Sequence, residues 1–377
     1  MVEHQKELEI KYWKDCSKMK KVLYETHHLY YWPNFVPVVD EMLRRGTYDI
    51  YVSMPIRSSL IQENILSNAC ESAEISFLSA DTEEKRIKKL NDENFDIIIV
   101  GNVGQLNKIS SSRALVVMVY HGIGLKQSYY TDIDPRVDIR SVESVARFNE
   151  LKSHGHDNIV LTGYTKLDRL VNFSNPEIKF TNQKIELDPD KKTILYAPSF
   201  YPTSIDKLHP YLIELSQDHN IIIKLHGFGW EQKKYQYQNI LCTELSKKSN
   251  SIHLLQNEDY DIVPYYLHAD MLISDISSTL FEYLPMDKPI IQALCYNLKL
   301  KHRIFKKRFW KKLDIDRQDN VDFAYQIVDS DDILGMVYYA IDNHDEMSTK
   351  RKEATEHYLY KIDGNASSRL IDAIEAY

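Results

Sequence analysis

The sequence has few cysteines, and their positions exclude one class of metal site. Four cysteines occur in 377 residues, far apart at Cys16, Cys70, Cys242 and Cys295. The chain contains no Cys-x-x-Cys pair, so a zinc site of that type is excluded. Sparse, scattered cysteines are typical of proteins in a reducing compartment. A cytoplasmic protein is therefore the first expectation.

Long apolar runs and an excess of basic charge are also missing. No apolar run approaches the roughly 18 residues of a membrane-spanning helix, and the charged N-terminus lacks the apolar core of a signal peptide. The net charge is −8, from 47 basic and 55 acidic residues. This balance argues against broad nucleic-acid binding, which needs a basic field. No Walker A or Gly-x-Gly-x-x-Gly sequence is present, so any phosphate site is of a different kind.

What the chain does contain is an alternation of short apolar runs with helical patterns. Hydrophobic residues make up 43% of the sequence, enough for a substantial core. The alternation predicts an α/β fold with parallel sheets and crossover helices. It is interrupted by a polar segment with two prolines at 172–192, which is a candidate linker between two domains.

The most informative stretch is His-Gly-Ile-Gly-Leu-Lys at 121–126. It follows seven apolar residues, 114–120, which predict a strand buried on both faces. In open α/β sheets, ligands bind at the carboxyl ends of strands, and a histidine there can take a proton near neutral pH. His121 is therefore a candidate catalytic base, and Gly122 and Lys126 are candidate substrate-binding residues.

A similar pattern occurs about a hundred residues later. The apolar run 221–223 is followed by Lys224-Leu225-His226-Gly227, so a second buried strand is predicted to end in His-Gly. Either histidine alone could be a satisfied core residue. Two in matching settings favour function, because glycine lets a ligand approach the backbone. We interpret them as parts of two α/β halves that face one cleft.

Hydroxyl residues follow a further predicted strand. Ser277, Ser278 and Thr279 come shortly after the run 271–273 and directly before a predicted helix at 280–284, with Asp275 at the start of the turn. Hydroxyls and backbone N–H groups at a helix N-terminus suit a phosphate. The same residue types are also preferred N-caps, so both interpretations stay open.

Several other stretches are ambiguous from the residues alone. The predicted strand 193–197 ends in Ala-Pro-Ser, which either turns Ser199 toward the same sheet edge or forms a plain turn. The ring-rich segment 27–34 either lines an acceptor pocket or packs between the two halves. Asp132-Ile133-Asp134 has the form of a metal-binding Asp-x-Asp, but such triplets arise often by chance, and no metal is assigned to it.

A basic segment stands out in this acidic chain. Eight Lys and Arg residues lie between Lys299 and Lys312, interleaved with Phe305, Phe309 and Trp310. The segment is suited to docking on an anionic membrane surface or on a polyanionic acceptor. A solvated basic helix face is the alternative.

Read in order, five of these landmarks resemble the CDP-glycerol glycerophosphotransferase family, the teichoic-acid primases and polymerases. The family pattern runs His-Gly-Thr-Pro-Leu-Lys, Thr-Gly…Asp, Leu-Tyr-Ala-Pro-Thr, Lys-Leu-His-Pro and Asp-Tyr-Ser-Ser. This chain has His-Gly-Ile-Gly-Leu-Lys, Thr-Gly…Asp, Leu-Tyr-Ala-Pro-Ser, Lys-Leu-His-Gly and Asp-Ile-Ser-Ser, at 121–126, 162–168, 195–199, 224–227 and 275–278. Order and spacing match over 115–292. One departure is Phe200-Tyr201, where the family often has Trp-Arg.

The resemblance implies a GT-B fold of two Rossmann-like domains, 1–175 on the acceptor side and 190–355 on the donor side, with a C-terminal helix in 356–377 packing back on the first. It implies transfer of a polyol phosphate, glycerol phosphate foremost, from a CDP-linked donor to a hydroxyl of a polyol-phosphate or lipid-linked acceptor. CMP is released, and the product is a teichoic-acid or capsule-like polymer. No cofactor, metal or nucleic acid is implied, and a peripheral position on the inner face of the cell membrane is expected.

The resemblance also implies roles for the candidate residues. His121 is the base, and His226 donates to the pyrophosphate of the donor. The remaining candidates hold phosphate, add charge or orient the turn: Gly122, Lys126, Ser199, Lys224, Asp275, Ser277, Ser278 and Thr279. Two alternatives remain: a GT-B glycosyltransferase or epimerase acting on another nucleotide sugar, and a non-catalytic relative that binds a nucleotide or a polyanion.

Overall fold

The computed structural model describes residues 19–56, 60–104, 106–109, 113–123, 134–172, 185–305, 307 and 321–377. They form two parallel sheets with helices between the strands. The chain divides into two compact units. One holds the described residues of 1–119, 134–141 and 367–377, and the other those of 120–133 and 142–366. The domain boundary expected near the 172–192 linker stays a prediction, and 173–184 lie outside the described residues.

The first sheet has seven strands in the order β3-β2-β1-β4-β5-β6-β7. Their bounds are β1 Lys20–Glu25, β2 Tyr48–Ser53, β3 Ser76–Leu78, β4 Ile97–Val100, β5 Leu115–Val119, β6 Ile139–Val142 and β7 Ile159–Leu161. The chain runs outward from β1 to β3 and then returns to the other side of β1 with β4. The strand predicted at 114–120 is confirmed as β5, and its residues 116–119 are buried.

Six helices accompany these strands, and α1 shows why they begin and end where they do. Pro33 lies in the first turn of α1, where its fixed φ suits a helix and its missing N–H costs nothing. The helix ends at Gly46, whose φ of 70° is left-handed and whose N–H donates to Met42 and Leu43. The bounds are α1 Trp32–Arg45, α2 Leu60–Ser72, α3 Glu83–Glu93, α4 Leu106–Ile109, α5 Val145–Ser153 and α6 Asp168–Asn172.

The second sheet has six strands in the order β10-β9-β8-β11-β12-β13. Their bounds are β8 Lys192–Ala197, β9 His219–Ile223, β10 Ile252–Leu254, β11 Met271–Ser274, β12 Ile290–Ala293 and β13 Tyr325–Ile327. Alternate residues pack into different hydrophobic clusters: Leu195 and Leu272 into one, Ile194 and Ile273 into the other. Both faces are therefore covered, which explains the uninterrupted apolar runs in the sequence.

Nine helices complete the described chain: α7 Ile205–Leu215, α8 Phe228–Glu231, α9 Gln236–Lys248, α10 Val263–His268, α11 Thr279–Glu282, α12 Leu300–Ile304, α13 Ile333–Asp342, α14 Ser348–Tyr358 and α15 Ala366–Ala376. The C-terminal stretch forms two helices and not one, because Lys361 and Gly364 between them have φ of 46° and 72°. Arg45 of α1 pairs with Asp372 and Glu375 of α15 at 2.6 and 2.7 Å. No helix in the described part of the chain is long and apolar enough to span a bilayer.

The two His-Gly sequences occupy different topological positions. Both sheets share one order, in which β8 corresponds to β1 and β11 to β4. His226 follows β9, whose counterpart in the first sheet is β2. His121 follows β5, whose counterpart in the second sheet is β12. The expectation that the second His-Gly repeats the setting of the first is therefore wrong, because equal apolar runs say nothing about a strand's place in its sheet.

Candidate active site

The strand order of the second sheet changes direction between β8 and β11, and two predicted motifs meet there. Asp275 follows β11 and is fully buried. Its carboxylate accepts hydrogen bonds from the N–H of Ser199 at 2.7 Å and from the N–H and hydroxyl of Ser204 at 3.0 and 3.1 Å. Ligands of open α/β sheets bind at such switch points, outside the carboxyl ends of the strands. Asp275 therefore ties together the two loops that border the switch point.

The environment of Asp275 defines its role. Burial raises the pKa of this carboxyl to about 6, and the hydrogen bonds from Ser204 and Ser199 act in the opposite direction. The group is thus ionised at neutral pH and engaged by donors of the protein itself. A buried carboxylate repels a phosphate, and the contacts of Asp275 are with the two loops that it holds.

The hydroxyl residues after Asp275 are partly exposed and bonded to one another. Ser277 Oγ accepts a hydrogen bond from the N–H of Thr279 at 3.3 Å and lies 3.0 Å from the Thr279 hydroxyl. Ser274 Oγ lies 2.9 Å from Thr279 Oγ1. The helix predicted at 280–284 is α11, which begins at Thr279 and has only four residues. Its dipole is small for that reason, so the capacity to bind phosphate rests on the hydroxyls and backbone N–H groups of the loop.

A buried carboxylate that the sequence did not predict lies beneath this loop. Glu282 is 1% exposed. It accepts hydrogen bonds from Ser278 Oγ at 3.0 Å, Lys166 Nζ at 2.6 Å and the Tyr266 hydroxyl at 2.9 Å. Burial, with the charge of Glu282, raises the pKa of Tyr266 well above its usual value, so Tyr266 remains a donor. The only sequence signal was the four-residue spacing between Ser278 and Glu282, which places both on one helix face.

His226 lies beyond the end of β9, the neighbour of β8. Its Nδ1 accepts a hydrogen bond from the N–H of Phe228 at 3.1 Å. The neutral ring therefore carries its proton on Nε2, so Nε2 is a donor whether the ring is neutral or charged. The ring centroids of Phe200 and Phe228 lie 4.8 and 4.9 Å away. Aromatic contacts thus fix the ring beside the loop that follows β8.

Lys224 adds a cation with unusual acidity. Its ammonium is part-buried and donates to the carbonyl of Leu225 at 3.3 Å. Desolvation lowers the pKa of Lys224 to about 8; Asp259 and Asp261 oppose the shift, and Lys166 adds to it. Lys224 is therefore still charged at neutral pH, and its charge is poorly solvated. Such an ammonium interacts strongly with an incoming anion.

A buried arginine supports the turn that contains His121. Arg147 Nη2 donates to the carbonyl of Gly122 at 3.3 Å, and its Nε pairs with Glu143 at 2.9 Å. The guanidinium lies 4.7 Å from the ring centroid of Tyr120. The sequence did not predict this arginine, because a charged residue in an amphipathic helix usually faces solvent. Lys126 lies outside the described residues.

Most predicted site residues come together at one sheet edge. Seven follow the neighbouring strands β9, β8 and β11: Ser199, Lys224, His226, Asp275, Ser277, Ser278 and Thr279. His121 and Gly122 follow β5 of the other sheet. Asp168, from the motif at 162–168, accepts a hydrogen bond from the N–H of Ala366 at 2.9 Å and so holds the start of α15. Across the described residues, His, Cys, Asp and Glu side chains form no cluster of three or more suited to a metal ion.

The two parallel sheets share one strand order, and polar side chains follow three strands of the second sheet. This architecture is that of a GT-B protein. The wall teichoic acid polymerase TagF, in a structure with CDPG, has this fold. It matches with a TM-score of 0.67 and 16% identity, over 95% of this chain and 88% of that one. The chain belongs to the CDP-Glycerol:Poly(glycerophosphate) glycerophosphotransferase family, whose sequence profile matches residues 141–376.

Curated relatives agree with the family. The teichoic acid poly(ribitol-phosphate) polymerase of Bacillus spizizenii is 24% identical over 236 residues, 58% of this chain and 33% of that protein. The teichoic acid poly(glycerol phosphate) polymerase of Staphylococcus epidermidis is 26% identical over 187 residues, 48% of this chain and 23% of that protein. The chain thus spans a third or less of the length of these two relatives.

Proposed function

We propose that this protein transfers a polyol phosphate, glycerol phosphate foremost, from a CDP-linked donor to a hydroxyl acceptor, with release of CMP, during synthesis of a teichoic-acid-type polymer. Family membership and the curated relatives support this reaction class. The observation that carries it is the hydroxyl loop held by Asp275 at the switch point of the second sheet. This loop has the donors that a pyrophosphate needs and no exposed carboxylate of its own.

The donor's pyrophosphate binds at the ends of β9, β8 and β11 in this proposal. The loop at 277–279 donates to phosphate oxygens through hydroxyl and backbone N–H groups, and His226 donates through Nε2. Lys224 contributes positive charge, and Ser199 lies beside them in the loop that Asp275 holds. Phosphoryl transfer depends on positioning and on stabilising charge at the phosphate oxygens. These side chains supply such stabilisation because their hydrogen-bonding groups are held in place before the CDP-linked substrate binds.

His121 acts as the general base. The acceptor hydroxyl attacks the phosphorus that bears the polyol, and its proton passes to His121. A new oxygen–phosphorus bond forms while the bond to the CMP oxygen breaks, so CMP leaves with the electron pair. Arg147 keeps the His-Gly turn in place through the Gly122 carbonyl. The Gly122 backbone and Lys126 complete the acceptor side of the proposal.

A donor panel tests this reaction. The protein is incubated with CDP-glycerol, CDP-ribitol or a UDP-sugar and a polyol-phosphate acceptor, and CMP or UDP release is measured. We expect CMP from a CDP-polyol, and at least a hundredfold loss in His121→Ala, the scale of a general base. His344→Ala is the matched control, since its ring is exposed beside Asp345. Full turnover in His121→Ala would exclude the base role, and release of UDP alone would favour a sugar transferase.

We also propose that the protein contacts the inner face of the cell membrane through α12. Leu300, Ile304 and Phe305 are 73%, 65% and 64% exposed. They lie in the basic segment 299–312, of which 306 and 308–312 are outside the described residues. Exposed apolar side chains among cations suit an anionic lipid surface.

Cosedimentation with vesicles of phosphatidylglycerol or phosphatidylcholine tests this contact. The variant Leu300→Ser with Ile304→Ser should lose most of its binding to the anionic vesicles. Ile240→Ser is the control, because Ile240 is equally exposed, at 65%, on α9. Equal binding by both variants would contradict the proposal.

A further inference from the structure

The hydroxyl protons of the two adjacent serines are used differently. A serine hydroxyl has one proton to donate and lone pairs to accept with. Ser278 Oγ donates its proton to Glu282 Oε1 at 3.0 Å. Ser277 Oγ instead accepts a hydrogen bond from the N–H of Thr279 and lies 3.0 Å from the uncharged Thr279 hydroxyl. Ser274 donates its own proton to the Ala197 carbonyl and also lies 2.9 Å from the Thr279 hydroxyl, so the Ser277 proton is engaged with no more than this neutral neighbour. Ser277 can therefore turn its proton to an incoming anion by leaving a neutral partner, whereas Ser278 must leave a carboxylate.

The bond that holds Ser278 is strong because its acceptor is a fixed, ionised group. Glu282 is 1% exposed, and Lys166 pairs with it at 2.6 Å. The hydroxyls of Tyr266 and Tyr164 donate to the same carboxylate at 2.9 and 3.4 Å. Hydrogen bonds to an ionised acceptor are about twice as strong as neutral ones. Turning the Ser278 hydroxyl away would remove one donor from a buried charge, which is costly.

We propose that Glu282, held by Lys166, is a positioning residue that commits the Ser278 hydroxyl, so that Ser277 alone of the pair presents its O–H proton to the donor's phosphate. Ser278 then acts as a fixed neighbour that keeps the loop in shape. This inference rests on the proposed function, since it assumes that a CDP-linked donor places its phosphates at the loop. It assigns different roles to two residues that the sequence presents as equivalent.

Kinetics of the two alanine variants test the division of roles. With CDP-glycerol as donor, Ser277→Ala should raise the donor KM about tenfold or more, as expected for loss of a hydrogen bond to a charged group. Ser278→Ala should raise it about threefold or less, because its hydroxyl contacts Glu282 and not the phosphate. Ser246→Ala is the control, since its hydroxyl bonds Thr243 within α9. A larger effect in Ser278→Ala than in Ser277→Ala would overturn the proposal.

A double-mutant cycle tests the action of Glu282 through Ser278. Glu282→Gln should raise the donor KM no more than Ser278→Ala does, about threefold or less, and add nothing in the Ser278→Ala background. Glu282→Asp, which keeps the charge on a shorter side chain, serves if the glutamine variant does not fold. Thermal unfolding of each variant is measured in parallel. A purely structural role would lower the melting temperature and leave the two effects on KM independent, which would overturn the proposal.

The wild-type protein separates failure of this inference from failure of the proposed function. If it releases no CMP from CDP-glycerol or CDP-ribitol, the proposed reaction fails, and the same variants are compared by calorimetric binding of CDP. The affinity of Ser277→Ala should then fall more than that of Ser278→Ala. Equal affinities, or no binding of CDP by the wild type, would overturn the inference.

Discussion

The two sheets share a strand order, but their switch points are built from different chemistry. Between β1 and β4 of the first sheet, buried groups bond to one another: Glu25 and Arg86, both fully buried, pair at 2.9 Å. Asn102 donates to the Tyr31 hydroxyl at 2.8 Å. Between β8 and β11 of the second sheet, Asp275 is also buried, but it holds a loop whose hydroxyls are partly exposed.

The difference shows that topology locates a crevice and side chains decide its use. In the first sheet, packing is so close that a Cβ on Gly104, where φ is +30°, would come within 1.8 Å of His27 Nε2. Rings therefore occupy the space near that edge. In the second sheet the buried carboxylate of Asp275 accepts hydrogen bonds from two loops, and Ser277 and Ser278 remain partly exposed. The ring-rich segment 27–34, for which two interpretations were open, contributes packing here, and an acceptor role for it stays a prediction.

The largest expected effect separates stability from donor binding. Glu25→Gln leaves buried Arg86 without one of its carboxylate partners, which should lower the free energy of unfolding by about 3 kcal/mol. Chemical denaturation measures this loss. The donor KM of the folded variant should not change, because the ion pair serves the first sheet. A raised KM would show that the two switch points are not functionally distinct.

The matching change in the second sheet should lower turnover and leave the protein folded. Asp275→Asn keeps the shape of the side chain but accepts on one oxygen only, so one of the two loops loses its hold. CMP release should fall about a hundredfold, a scale seen when positioning is lost by 1 Å. Circular dichroism checks that the variant is folded. Near-normal turnover would contradict the central role given to this carboxylate.

The pH dependence of donor use tests Lys224. Its pKa is lowered to about 8 by desolvation, so its charge is present below that pH and is lost as the pH rises through it. The ratio kcat/KM for the donor, which reports the free enzyme, should fall severalfold above pH 8. In Lys224→Arg the charge persists, and this fall should disappear. A wild-type profile that is flat from pH 7 to 9 would show that Lys224 does not act on the donor.

The smallest expected effect returns to the first sheet. Tyr31→Phe removes the hydrogen bond from Asn102 and should cost about 1 kcal/mol of unfolding free energy. The donor KM should stay within experimental error of the wild type. Denaturation and CMP-release assays on one preparation measure both quantities. A severalfold change in KM would revive a ligand-binding role for the ring cluster.

Long apolar runs were the features that sequence reasoning predicted best. The strands at 114–120 and 193–197 were recognisable because both faces of a parallel sheet are buried. Three-residue β3 has no recognisable pattern because it is short, and β6 has none because Arg140 and Ser141, both buried, interrupt its apolar residues. The break between α14 and α15 has no sign in the sequence, because helical propensity does not reveal the positive φ at Lys361.

The candidate site residues that the sequence indicated lie in compact motifs, and the buried partners that it did not indicate lie far from them in the chain. Asp275, Ser277 and His226 stand next to recognisable strand ends. Glu282 and Lys166 are 116 positions apart, and neither is marked by periodicity. Burial with a counter-charge depends on which segments meet, and one sequence without its fold does not contain that information.

The sequence by itself determined the α/β class, the strands that end in candidate site residues and the family to which those motifs belong, because buried strands and turn residues are local patterns. Only the tertiary structure decided that His121 and His226 follow strands at different topological positions, that Asp275 is a buried anchor, and that Ser278 is held by Glu282. The physical reason is common to all three: strand order, desolvation and hydrogen-bond partners arise from contacts between segments far apart in the chain.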